Sequence, residues 1–519
     1  MTRSTDLALA AALLCGACST PSYARDADRD VAEILRTRTD ATLGGRERTA
    51  QYPRDQPPAP AAPDAQQPIG PQPTRELKLT DALEVAITSN RELASQKDAL
   101  YQSALSLTGT RFQYSPRVTA ALAYLFTGGN NAAEAHGLAL DGSLAQLLPW
   151  GGEAKVSAGS SYDSVAGNYS STVGAHLVQP LLRGAGHEVA WEALTQAERS
   201  VVYAIRNFEL FRESFAIDVA SRFYDLVQQK QALDNQRRNL ESQVFGRKQA
   251  EALFQVGRVP ELEVLRARRS ELTSQNSMIE AEESLKLALD RYRIFLGLPD
   301  GDTLDVHDEA PAFVEVNYEV DSAVEVALAN RLDWLNREEQ LEDAQRGVHI
   351  AANGLLPDLA FDLGYTRLGD GDPNFTSQRL GTSSYVAGLS LQIPLQQLNE
   401  RNAYRSAELA LASAMRDVAE FKDNLMVSVR ATFRELARRK QSLDIQTELI
   451  HDQQRNVKIA QLRFEQGNFS NRDVVEAQQS LLDAQNALIR EQVAYESARL
   501  GLLRDLGILF IDEKGMWKE

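Results

Sequence analysis

FQVGRVPELEVLRAR at residues 254–268 and FEQGNFSNRDVVEAQ at 464–478 are two versions of one segment. Phe254 aligns with Phe464, Gly257 with Gly467, Glu263 with Asp473, Val264 with Val474 and Ala267 with Ala477, always 210 residues apart. The same offset carries Val219, Leu226, Leu233 and Leu240, spaced every seven residues, onto Val429, Leu436, Leu443 and Ile450. Beyond the glycines, Met278, Leu285 and Tyr292 fall on Leu488, Tyr495 and Leu502. An apolar residue every seventh position is the seam of paired helices, and a glycine between two such runs supplies the left-handed turn of a hairpin. The spacing predicts two long helical hairpins of one design.

Upstream the echo continues at another offset. LTDALEVA at 79–86 returns as VDSAVEVA at 320–327, 241 residues on, and the prolines that follow, Pro116 and Pro357, keep that spacing. Thr80 or Asp81 can cap the first helix, whose apolar face continues through Ile87 and Leu93 towards the proline. After each proline the hydrophobic period changes from about 3.6 to 2. Val118, Ala120, Leu122, Tyr124 and Phe126 alternate with small or polar residues, as do Leu359, Phe361, Leu363 and Tyr365, then Tyr385, Ala387, Leu389, Leu391 and Ile393. Such alternation marks strands with one apolar face. Strands of about nine or ten residues with aromatics near their ends fit a membrane barrel, although a half-buried soluble sheet shares the alternation.

The chain returns to helix at Pro180 and Pro394, and the first half holds 27 more residues between its prolines than the second. The surplus includes Leu138 to Leu148, the turn Pro149-Trp150-Gly151-Gly152, and Ala154 to Tyr162. It reads as an additional β-hairpin, either within a barrel or in an extracellular loop. Residues 187–256 and 400–466 contain no proline. About 70 helical residues span roughly 105 Å, so each helix needs neighbours along its length.

The chain has 519 residues, a net charge of −17 and a pI near 5.0, which argues against nucleic acid as a partner, since phosphate binding needs a basic surface. Residues 1–24 read as an export leader: Arg3, an apolar stretch from Leu7 to Leu14, then small residues around the two cysteines, Cys15 and Cys18. Gly16-Ala17-Cys18 is a lipoprotein box that would lipidate Cys18, and Ser22-Tyr23-Ala24 offers ordinary cleavage after Ala24. Either way the mature chain keeps at most one cysteine, so no intrachain disulfide forms. Residues 25–75 form an arm with a weak helical stretch near Asp30 to Arg38, followed by a proline-, alanine- and glutamine-rich linker from 52 to 73. Residues 76–299 and 300–512 make the two repeats, and 513–519 a tail. No later stretch approaches the ~20 apolar residues of a membrane helix. His136, His176, His187, His307, His349 and His451 show no metal-ligand spacing, and no phosphate loop or nucleophile motif is present, so neither catalytic residue nor cofactor is expected.

Helix, strand pair, long helix, glycine-tipped turn and long helix, twice over, resembles the TolC-like outer-membrane efflux channel family. The resemblance covers about 79–512. It rests on the LTDALEVAITSNREL opening, the proline before each first strand, an acid six residues after each glycine turn, and the closing Leu296-Gly297 and Leu506-Gly507. It implies a mainly α fold with a membrane β-barrel. A homotrimer would contribute four strands per subunit to one barrel and continue as an α-helical tube across the periplasm. It implies a passive outer-membrane duct of a tripartite efflux or type I secretion system, opened by a periplasmic adaptor and an inner-membrane pump. A periplasmic adaptor or coiled-coil scaffold is the competing class, but adaptors carry a single hairpin. In the family, tips meet the adaptor, which singles out Gly257, Arg258, Val259, Glu263, Gly467, Asn468 and Phe469. Acids beyond the second tip ring the pore constriction, which singles out Asp473 and Glu476 and implies cation preference with block by multivalent ions. Family members tie neighbouring tips with polar or hydroxyl side chains, where this chain has Phe464, Phe469 and Leu262, implying apolar packing there.

Overall fold

The computed structural model describes residues 20–43, 75–129, 132–165, 167–299, 304–309, 311, 313–316, 319–369, 380–466, 469–512 and 514–518. Cys18, the proline-rich linker, and Gly467 and Asn468 lie outside them. The chain forms two compact units, each drawn from both sequence halves. One takes 99–205, 335–420 and the N-terminal helix; the other takes 206–334, 421–519 and the residues just before 99.

In the first unit, helix α1 (Thr20–Leu43) extends well beyond the short stretch expected from sequence. Its face of Val31, Ile34 and Leu35 is buried, Arg38 pairs with Glu198 at 2.8 Å, and the Tyr101 hydroxyl donates to Asp28. Glu198 also accepts from Arg111 at 2.9 Å. These two guanidinium partners pull its carboxyl below the usual range against the opposing effect of burial.

The same unit holds the sheet. Strands β2 (Arg117–Gly129), β3 (Ala132–Leu147), β4 (Glu153–Asp163), β5 (Asn168–Pro180), β7 (Asp358–Gly369) and β8 (Leu380–Gln392) pair antiparallel in that order. Among the described residues this makes six strands, where the family resemblance implied four. The surplus hairpin of the first half is therefore part of the sheet, and its strands are longer than the nine or ten residues expected. Register puts directly paired residues on one face. Leu122, Leu140 and Ser160 follow one another across β2, β3 and β4, and Val156, Ala175 and Tyr365 across β4, β5 and β7. Leu363 and Ala387 continue that face onto β8. The opposite face carries Thr119, Ser143 and Ser157, then Gly174, Thr366 and Ser384. One face is thus apolar and the other polar and small across all six strands.

The turn between β3 and β4 is fitted rather than loose. Gly151 has φ +89°, and a Cβ there would collide with the Gly184 carbonyl oxygen. Gln179 donates to the Trp150 carbonyl at 3.0 Å, closing the turn onto the segment that follows β5.

In the second unit, β1 (Arg75–Leu77) pairs in parallel with β6 (Leu304–Val306). The helix expected to run unbroken from Leu79 is divided at Asn90 into α2 (Leu79–Ser89) and α3 (Arg91–Tyr114). Its counterpart is divided at Arg331 into α7 (Val320–Asn330) and α8 (Leu332–Asn353). The breaks receive the glycines that end each repeat. A Cβ on Gly297 (φ +79°) would overlap the Ser89 carbonyl, and one on Gly507 (φ +69°) would sit 2.9 Å from the Asn330 carbonyl carbon. Asn90 stabilises its break by accepting from Leu93 N–H at 2.9 Å and donating to Phe295 O at 2.6 Å. The two sequence offsets, 241 and 210, thereby meet in equivalent contacts.

Long helices follow the strands: α5 (Glu192–Gln255) with α6 (Glu261–Leu296), and α9 (Leu398–Glu465) with α10 (Asn471–Asp505), with α5 from 206 and α9 from 421 in this unit. A short turn, α4 (His187–Ala190), precedes α5. The heptad residues Val219, Leu226, Leu233, Val429 and Leu436 are buried. The tail is ordered as well, since β9 (Phe510–Ile511) pairs with β10 (Trp517–Lys518). Arg212 donates to the Asp512 carbonyl at 3.2 Å.

Candidate functional site: the hairpin tips

At the first tip, α5 ends as the repeat predicts. Gly257, at φ +73°, donates to Phe254 O at 2.9 Å, and Arg258 N–H reaches back to Leu253 O at 2.9 Å. This doubled bond with a left-handed glycine satisfies carbonyls that the last helical turn leaves without partners. Arg258 is exposed and Val259 half-buried. Val256 and Leu262 are exposed apolar side chains beside them.

The second tip is built differently. Phe464 is buried with Ala460, Val474 and Ala477, and Leu253, Val457 and Phe469 pack against this cluster. Phe254, its sequence counterpart, is 43% exposed. Phe469 lies under the Arg463 guanidinium, 5.1 Å from ring centre to Cζ, and donates its N–H to Arg463 O at 3.3 Å.

The paired acids also diverge. Glu263 is buried: Oε1 takes an ion pair from Arg266 at 2.6 Å and Oε2 accepts the Asn471 N–H at 3.1 Å. An acid of the first tip thus caps the first residue of α10 in the second hairpin, where free N–H groups favour negative charge. Asp473 instead caps its own helix, with Oδ2 accepting Ser470 N–H and Ser470 Oγ–H, both at 2.8 Å. The backbone bond from Ser470, then its hydroxyl, holds the Asp473 carboxyl below its ordinary value. Asp473 and Glu476 are both exposed, and a spacing of three places them on one helix face. Arg266 occupies the position equivalent to Glu476, so the first tip neutralises its acid and the second leaves two carboxylates facing out.

Sequence reading did not single out the polar ties between hairpins. Asn235 donates to Asn486 at 2.8 Å, and Gln243 donates to Gln478 at 2.8 Å. Gln478 in turn donates to Ser242 at 2.6 Å. Asn235 and Gln243 are buried, and polar side chains at such seam positions fix register. Their amides were visible in sequence, but not which of them faced inwards.

A sheet with one apolar face, joined in one chain to doubled helical hairpins with glycine tips, defines an outer-membrane channel of the helical-tube type. The sequence profile described as outer membrane efflux protein matches residues 150–297 and 323–507, and the chain belongs to that family. It is an outer-membrane efflux channel, not an enzyme. No curated protein sequence matches it. Among solved structures it is similar to the outer-membrane channel OprN at 16% identity, covering 83% of this chain and 89% of that one with a TM-score of 0.63. VceC from Vibrio cholerae gives 16% identity, 83% and 96% coverage and a TM-score of 0.61. MtrE from Neisseria gonorrhoeae, in its open state, gives 13% identity, 83% and 89% coverage and a TM-score of 0.58. At these identities the likeness is one of fold.

Proposed function

We propose that three copies of this chain close one barrel in the outer membrane and form the passive exit duct of a tripartite efflux or type I secretion assembly. The observation that carries this reading is the sheet, whose apolar face spans six strands while β2 and β8 each have an open edge. Open edges are costly in lipid, and closure between copies removes them. A periplasmic adaptor or scaffold has no use for such a face. Gly257, Arg258, Val259, Gly467, Asn468 and Phe469 serve as the contact to a periplasmic adaptor that couples to an inner-membrane pump. Glu263 supports that surface by holding the hairpins together. Three copies of Asp473 and Glu476 ring the constriction and favour cations. Cys18 carries the lipid anchor, with Gly16-Ala17-Cys18 as the processing site.

Membrane fractionation with gel mobility tests the assembly. The expected result is an outer-membrane species that runs as a detergent-resistant trimer. Release by salt as a monomer would overturn the proposal.

A further inference from the structure

The six-stranded sheet has a consequence for the bore, which rests on the trimer proposed above. Three copies of four strands would close a barrel of twelve, and three copies of this sheet close one of eighteen. With strands about 4.8 Å apart and tilted about 40°, eighteen strands enclose a backbone diameter of about 36 Å and twelve about 24 Å. We propose that this channel opens through an 18-stranded outer-membrane barrel, one and a half times as wide as four strands per subunit would give, and that it serves bulky hydrophilic cargo.

Three observations place the added strands in the wall. Every residue from Gly137 to Leu147 on β3 is paired to β4, and β3 is paired to β2 along nearly its full length. The apolar and polar faces also run through the addition without a change of side. Leu140, Leu144 and Val156 continue the face of Leu122 and Val118, each more than 40% exposed in the single chain, which is what a lipid-facing position requires. Ser143, bonded to Thr119 at 2.8 Å, and Ser157 continue the polar face. Finally, the turn at Trp150–Gly152 is locked onto Gln179 and Gly184, as a wall element needs and a free extracellular loop does not.

The polar face suits large hydrated solutes. Its side chains are mostly Ser, Thr, Gly and Ala, with Arg117 and Lys155 set against Asp141, Glu153, Asp163, Asp358 and Asp362. Small inward side chains subtract little from the bore, and the acidic excess favours cationic over anionic solutes among those it admits.

Single-cysteine labelling of the full-length protein in isolated outer membranes tests the wall assignment. Ser143→Cys and Ser157→Cys should react with a membrane-impermeant maleimide, whereas Leu140→Cys and Val156→Cys should not, and Leu363→Cys on β7 should match them. Equal labelling of all four added-strand positions, with the trimer intact on gels, would overturn the 18-stranded wall and leave the channel reading standing. Loss of the trimer in the unmodified protein would overturn both. Electron microscopy of the trimer in nanodiscs supplies the second measurement: a barrel near 36 Å supports the proposal, and one near 24 Å refutes it. Neutral polymers of graded size, added from the extracellular side, should enter and lower conductance up to a larger cut-off than a 12-stranded barrel would admit. A cut-off at the narrower size would refute the cargo assignment.

Discussion

Replacing Glu263 by alanine is expected to loosen the tips without unfolding the chain. The Glu263 side chain is 10% exposed, accepts the Asn471 N–H at 3.1 Å and pairs with Arg266 at 2.6 Å. Removing the acceptor from a helix start costs about 0.5–2 kcal/mol. The ion pair adds only about 0.2–1 kcal/mol, because the Arg266 side chain is 47% exposed and can return to water. A combined loss near 2 kcal/mol would let the start of α10 part from α6 about 30-fold more often, since each 1.4 kcal/mol is a factor of ten. Amide hydrogen exchange on the trimer in nanodiscs would read this as faster exchange in peptides covering 469–480, with α9 around Val429 and Leu436 unchanged. Glu263→Gln keeps an acceptor oxygen and should show a smaller acceleration. Unchanged exchange at 469–480 in Glu263→Ala would refute the tie, and acceleration spread equally along α9 would show general destabilisation instead.

The outward acids predict ion behaviour: Asp473→Ala with Glu476→Ala should lower cation selectivity and relieve trivalent-ion block in planar bilayers. Because the folded Asp473 carboxyl lies below its ordinary 3.8, its charge and its capping contribution are fully present above 3.8. Both are lost as pH falls through the lower folded value, so a selectivity titration should show no Asp473 step above pH 3.8. Gly507→Ala should destabilise by about 1–3 kcal/mol through strain and overlap with Asn330, while Gly501→Ala, in open space on α10, should stabilise by about 0.5–1 kcal/mol. Thermal unfolding would compare the two, and equal effects would contradict the close approach. Glu496 and Arg499 are both 5% exposed and paired at 2.8 Å. Arg499→Met alone should cost about 3–5 kcal/mol by leaving a buried carboxylate, and adding Glu496→Leu should recover most of it in denaturant titration.

Periodicity carried most of the architecture. The seven-residue seam through Leu226 and Leu436 and the alternation through Leu122 and Leu363 are local consequences of helix and strand geometry, so they can be read along the chain. Gly257 was legible for the same reason, because a left-handed turn has few other solutions. The division of the first helix at Asn90 was not: it accommodates Gly297, 207 residues away, which fits so closely there that a Cβ would overlap the Ser89 carbonyl. Nor could the repeat show that Phe464 is buried and Phe254 exposed, since equivalent positions in two hairpins meet different neighbours.

By itself, then, the sequence determined a doubled chain of long helical hairpins and amphipathic strands, exported and acidic, of the efflux-channel kind. Repeats and periods are properties of spacing, and spacing survives in one dimension. Only the tertiary structure decided that the surplus hairpin joins the sheet, because alternation marks a strand without naming its partner. It also decided that Glu263 turns inwards while Asp473 and Glu476 face out. The acid six positions after each glycine, Glu263 or Asp473, meets a foreign helix start in one hairpin and its own Ser470 in the other.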